Sequence, residues 1–179
     1  MLYVNENCLF RTYDGETLKI SPHGKNSFRI QAWIYEKSCE NNWALTEPVK
    51  PSSPQIKICG EEASIQNGLL RIQIDAYGRL SFFKEDRLLF REIMQKRVKC
   101  LKEYSNPFEL TGREFKGNIN GDFRLTVRFE PQRGEHLYGM GQYQQDTFDL
   151  KGSSLELAHR NAQASIPFVL SLIHIFCHF

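Results

Sequence analysis

The sequence predicts an all-β chain folded as an antiparallel β-sandwich. Three observations predict it. Apolar and polar residues alternate over short segments, as they do where one face of a strand is buried. Gly, Asn and Asp punctuate those segments at regular spacing, the mark of successive hairpins. No segment keeps an apolar stripe of period 3.6, so helix content is expected to be low.

The elements follow in order. "ETLKIS" alternates and "PHGKN" turns. "SFRIQAWIY" puts Phe28, Ile30, Ala32 and Ile34 on one face. "TEPVKPSSP" (46–54) is the linker-like stretch, because its three prolines cannot sit in a central strand. "LLRIQID" alternates, "AYGR" turns, "LSFFKE" continues, and "EDR" turns into "LLFREI". "FREIMQKRVKCLKEY" mixes both charge signs and reads as a solvated strand or short helix face. "NING" then precedes "DFRLTVRFE", in which Phe123, Leu125, Val127 and Phe129 face one way. No internal repeat is present.

Composition narrows the function classes. The chain has 179 residues, 41% hydrophobic and 25% charged, with a formal net charge of +2. A domain of this size buries roughly 70% of its unfolded surface and can build a core. The charge is too small, and too free of a basic stripe, to argue for nucleic acid. No apolar run reaches the ~18 residues that cross a bilayer, so no membrane partner is expected. The start, "MLYVNENC", lacks the basic and apolar regions of a signal peptide. Cysteines 8, 39, 59, 100 and 177 are odd in number and form no C-x-x-C pair. They read as free thiols of a cytoplasmic protein.

Residues 134–171, "GEHLYGMGQYQQDTFDLKGSSLELAHRNAQASIPFVLS", differ in texture. Glycines at 134, 139, 141 and 152 permit positive φ and close backbone approach. "GMGQ" is not a dinucleotide fingerprint, because the third glycine would fall at Gln144. On spacing alone the segment also reads as a pair of tight hairpins.

"GEHLYGMGQ", "DLKG" and "LAHRNAQASIPFVLS" together resemble the end of the N-terminal β-sandwich of family 31 glycoside hydrolases, the retaining α-glucosidases and α-xylosidases. "WALTEP" and "NGLLRIQIDAYGRLSFF" resemble that domain's earlier strands. The resemblance implies a galactose mutarotase-like sandwich over residues 1–171, ahead of a (β/α)₈ barrel that carries two catalytic aspartates. Retention needs two carboxyls ~5–5.5 Å apart. A barrel needs ~250 residues, and no "D-M-N-E"-like stretch occurs, so no catalytic residue is assigned to this chain and the chain alone is expected to be inactive. What carries over is the basic–amide pair of the loop that walls the sugar site, onto Arg160 and Asn161. Relatives commonly have Asp at the second position, and the local alternative is that Arg160 pairs nearby while Asn161 caps a turn. The implied partners are an α-glucoside or α-xyloside, bound through the full-length enzyme, and the missing barrel. No cofactor is implied.

Other readings compete. Asp146 and Asp149 are carboxylates of the variable loop and the strand after it, without a catalytic role. Glu135 and His136 could suggest the acid/base pair of an aldose mutarotase-like enzyme, but strand neighbours point to opposite faces. Trp33 and Trp43 could stack on sugar, as in a free-standing carbohydrate-binding module, or belong to the core. His174, Cys177 and His178 form one cluster where a zinc site needs two close pairs, so no metal is expected. The closing residues, 172–179, leave the family pattern. "LSLIHI" is also one translation of CTGTCTCTTATACACATCT, the end sequence of a tagmentation adapter, and the tail is read as non-native. A buried terminal strand is the alternative.

Overall fold

A computed structural model describes residues 1–35, 53–95, 109–144 and 146–171, and the backbone of 177–178. The described residues contain fourteen strands and no helix. Chain contacts divide them into two compact units, Met1–Glu130 and Pro131–Phe179.

In the first unit, β1 (Leu2–Asn5), β2 (Cys8–Tyr13), β3 (Glu16–Pro22) and β4 (Phe28–Ile34) form a four-stranded antiparallel meander. β5 (Gln55–Cys59), β6 (Glu62–Asn67), β7 (Leu70–Ile74), β8 (Leu80–Lys84) and β9 (Arg87–Arg91) form a five-stranded one. β10 (Arg113–Gly117) and β11 (Phe123–Val127) pair as a hairpin. The first sheet turns inward Leu9, Leu18 and Ile20, the second Ala63, Ile65, Ile72, Ile74 and Leu80, and these residues form one buried cluster. The alternation read in "ETLKIS" and "LLRIQID" supplies Leu18, Ile20, Ile72 and Ile74 of this core, whereas Leu9, Ala63 and Ile65 come from strands the sequence did not flag and Ile30 is exposed. Each fully buried Leu or Ile contributes about 1.5–3 kcal/mol relative to exposure.

The turns follow local chemistry. Asp14 and Gly15 take φ of 48° and 78° between β2 and β3, the left-handed pair that a two-residue hairpin requires and Asp-Gly supplies. Glu6 and Asn7 do the same between β1 and β2 at 47° and 61°. No glycine marks that turn, and β1 and β2 go unflagged by the sequence for that reason. At one end of the sandwich, the buried Asn67 side chain donates to the carbonyls of Gly24 and Ser27 at 3.1 and 2.8 Å. It ties the β3–β4 turn to the β6–β7 turn.

One sequence expectation is revised here. The mixed-charge segment is not solvated throughout: Glu92 and Met94 are buried, while residues 96–104 of it lie outside the described residues. Glu92 accepts from the Leu80 amide at 2.9 Å and from Arg113, whose Nη1 lies 2.6 and 2.5 Å from its two oxygens. Arg113 also donates to Glu16 at 2.6 Å and to the Gly78 carbonyl at 2.8 Å. Burial pushes the Glu92 carboxyl up, and Arg113 pulls it back. Burial would lower Arg113, but Glu92 and Glu16 outweigh it and raise it. β11 itself ends at Val127, and Phe129 pairs with Glu92 in an isolated bridge and packs edge-on against Phe82 and Phe90. Phe123, Leu125 and Val127 stay partly exposed, on the face that Val127 shares with its cross-strand partner Arg113.

In the second unit, β12 (Leu137–Gln142), β13 (Ala164–Ser171) and the backbone of β14 (Cys177–His178) form an antiparallel sheet. The linker at 46–52, Trp43, Cys39, Cys100 and the side chains of 172–179 lie outside the described residues. Cys8 and Cys59 are free thiols. Among the described residues, no helix is long and apolar enough to cross a membrane.

Candidate functional site

The informative segment builds one unit: strand β12, a connecting loop over residues 143–163, and strand β13. The glycines serve a bulged strand rather than two tight hairpins. Gly139 pairs with Val169 and Gly141 with Ser165, so Ile166, Pro167 and Phe168 stand opposite Met140 alone. Gly139, Met140 and Gly141 have φ of 103°, 62° and 108°. A Cβ at Gly139 would lie 2.5 Å from the Phe168 carbonyl oxygen, and one at Gly141 2.0 Å from that of Ala164. No side chain fits there, and Pro167 suits a bulge because it has no N–H to pair.

The loop is rooted on the start of β12. Asp149 Oδ1 accepts from the amides of Leu137 and Lys151, each at 3.0 Å. Its Oδ2 lies 2.6 Å from His136 Nδ1. The hydrogen bond to His136, then those from the two amides, hold the Asp149 carboxyl down at about 2. The ionised carboxylate only accepts, so the facing His136 nitrogen carries its proton. Leu150 N donates to Leu137 O at 2.7 Å. Lys151 Nζ donates to Glu135, whose other oxygen accepts from Ser171 Oγ at 3.4 Å. Phe148 stands exposed against Tyr138, with ring centroids 4.9 Å apart. Tyr143 OH meets Ser165 Oγ at 3.0 Å where the loop closes.

Arg160 and Asn161 lie together on the second half of this loop. Arg160 pairs with Glu156, the two side chains 65% and 75% exposed. Its carbonyl accepts from Gln163 N at 2.8 Å across a turn, and Asn161 occupies that turn at φ 44°. Asn tolerates this conformation better than most residues. Both residues are exposed. An exposed ion pair is worth little, so Arg160 can exchange Glu156 for a ligand at small cost.

The carboxylates of this unit are placed as follows. A general acid needs its pKa raised toward neutrality, and Asp149 is driven the other way. Glu135 and Glu156 are each tied to a cation, and Asp146 is exposed. Glu135 and His136, adjacent in sequence, turn to different partners, Lys151 and Asp149. Among the described residues no group of three or more His, Cys, Asp and Glu could hold a metal ion, while the side chains of His174, Cys177 and His178 lie outside them. Trp33 is half-buried on β4. The roots of the loop at Glu135, His136 and Lys151 were not legible as a set. The one local signal was Asp149 two residues before Lys151, the spacing at which an Asp side chain bonds a backbone amide.

No family model matches the chain. It is 39% identical over 181 residues to an uncharacterized family 31 glucosidase of Pseudescherichia vulneris, covering 95% of this chain and 34% of that protein. It matches a family 31 α-xylosidase from a soil metagenome, solved with xylose, at 36% identity and a TM-score of 0.88, covering 97% of this chain and 27% of the other. The family 31 α-xylosidase of Xanthomonas citri shares the fold at 21% identity and a TM-score of 0.69, over 96% of this chain and 17% of that one. So does a xylosidase from Aspergillus niger, at 20% and 0.68, over 92% and 24%. The chain thus spans about a third of the length of the curated relative it matches.

Proposed function

We propose that this chain, which belongs to family 31 of the glycoside hydrolases as their N-terminal β-sandwich, walls the sugar site of an α-glycosidase and supplies none of its catalytic carboxylates. The observation that carries this reading is the likeness to the metagenomic α-xylosidase along nearly the whole chain. The described residues contain no (β/α)₈ barrel, and Glu135, Asp149 and Glu156 are engaged locally. The activity proposed for the full-length enzyme is hydrolysis of an α-glucoside or α-xyloside by double displacement. Arg160 and Asn161 are the proposed sugar contacts, because both are exposed on one loop and Arg160's present partner is cheap to leave.

The proposed partners are therefore the α-linked sugar and the barrel, with no nucleic acid and no membrane. The proposed compartment is the cytoplasm, in keeping with the free thiols of Cys8 and Cys59. Residues 1–171 are proposed as the sandwich domain and 172–179 as a non-native tail. Long-read sequencing of the source DNA tests the tail, and a native stop codon just past Phe179 after the same residues would overturn it.

Kinetics of the full-length enzyme test the sugar contacts. Arg160→Ala and Asn161→Ala are each expected to lower kcat/KM several-fold to hundred-fold while leaving turnover measurable. That is the cost of one hydrogen bond, about 0.5–1.5 kcal/mol to a neutral group and ~3 to a charged one. Unchanged kinetics in both variants would assign the pair to the turn alone. Sugar binding by the isolated chain would favour a carbohydrate-binding module, and anomer interconversion a mutarotase-like enzyme.

A further inference from the structure

Between β12 and β13 the chain makes two excursions, residues 143–148 and 152–163, and returns to the sheet between them. At that return a single side chain meets three donors from two segments. Asp149 takes the Leu137 and Lys151 amides on one oxygen and the His136 ring on the other. The neighbouring backbone bond, Leu150 N to Leu137 O, also joins the segments, as do the Lys151–Glu135 ion pair and the Phe148–Tyr138 ring contact. The last two run between side chains, so a single backbone bond would be left to set the crossing angle. The carboxylate adds contacts on either side of it and fixes both angle and register.

We infer that Asp149 is the positioning residue of the loop, setting where its two excursions leave the sheet. The first excursion then presents Phe148 and the second Arg160 from roots that do not slide. The titratable side chain facing Asp149 is His136, and the Lys151 amide binds the carboxylate while the Lys151 ammonium goes to Glu135. Lys151 is spent on Glu135, so His136 is the polar side chain that completes the seat. The low pKa of Asp149 is the expected companion of a carboxylate serving several donors. This inference rests on the sugar-wall reading only for its consequence in catalysis.

Amide hydrogen exchange of the intact chain, read residue by residue by NMR without sugar, tests it. Asp149→Ala is expected to speed exchange at Leu137, Leu150 and Lys151 by about tenfold or more, with the β12–β13 ladder beyond Leu137 and the first unit unchanged. Asp149→Asn keeps an oxygen for both amides and should restore their protection to within about threefold of the native chain. It should also move the His136 proton to the far ring nitrogen, which the imidazole nitrogen shifts report, because the new amide donates where the carboxylate accepted. Unchanged exchange in Asp149→Ala would overturn the inference. So would a rise spread evenly over β12 and β13, which marks a general loss of stability. The exchange result stands apart from the kinetics of Arg160 and Asn161, so the two readings fail separately.

Discussion

Arg113→Met tests how the sandwich is held together. The Arg113 side chain is 7% exposed and that of Glu92 is 3% exposed. One guanidinium serves both Glu92 oxygens, Glu16 and the Gly78 carbonyl. Met fills much of the space and removes every one of those bonds. Glu92 is then left buried with the Leu80 amide alone, and breaking one partner of a buried ion pair costs ~3–5 kcal/mol. For a chain of this size that is on the order of 10 °C in Tm. The penalty should shrink as pH falls. Burial already raises the Glu92 carboxyl, and without Arg113 it rises further. The folded variant then binds a proton that the unfolded chain does not, so its stability falls as pH rises. The double variant Arg113→Met/Glu92→Met removes both buried charges and should recover most of the loss, because a well-packed apolar pair is often as stable as the ion pair it replaces. Urea unfolding followed by circular dichroism at several pH values measures all of this. A cost below about 1 kcal/mol for Arg113→Met, or a double variant as unstable as the sum of the singles, would refute the reasoning.

Two further outcomes are expected. The Asp149 carboxyl should titrate near 2 by carbon NMR, against its ordinary 3.8. Because the folded value is the lower one, the charge-dependent part of the loop's anchoring is complete above the unfolded value and is lost as pH falls through about 2, while the two amides keep one oxygen to donate to; an ordinary midpoint would remove the His136 and amide contacts from the account. Gly141→Ala should cost ~2–4 kcal/mol and unfold the β12–β13 sheet before the sandwich, since its Cβ would meet a backbone carbonyl at a φ that suits glycine. A native spectrum of that sheet in the variant would contradict the bulge.

The sequence carried the sandwich where its signals are local. β3 and β7 alternate with period two and are bounded by turn residues, and there burial and side-chain pattern coincide; β4, β8 and β9 are found where the sequence puts them, but Ile30 of the β4 stripe is exposed. β1 and β2 were missed because Glu6 and Asn7 make a left-handed turn without glycine. Glu92 was misread because its partner lies 21 residues on, and Arg113's other partner, Glu16, lies 97 residues away. Pairing across that distance leaves no trace in local pattern. The loop was legible as a unit through its resemblance to family 31, and Arg160 and Asn161 do share it. Its roots were not, because a carboxylate that binds two backbone amides depends on where the chain folds back. On spacing alone "GMGQ" also read as part of a tight hairpin, while its glycines answer to carbonyls of β13 that only the folded sheet brings near.

The most direct test of the central claim is hydrolysis by this chain alone. Double displacement needs a nucleophile and an acid/base on either side of one bond, and the proposal puts both outside this chain. The purified chain, given aryl α-glucoside and aryl α-xyloside from acidic to neutral pH, should release no more chromophore than a heat-denatured control. Turnover that survives repurification would contradict the account and move the search for an active site to Asp146, Asp149 and Glu156.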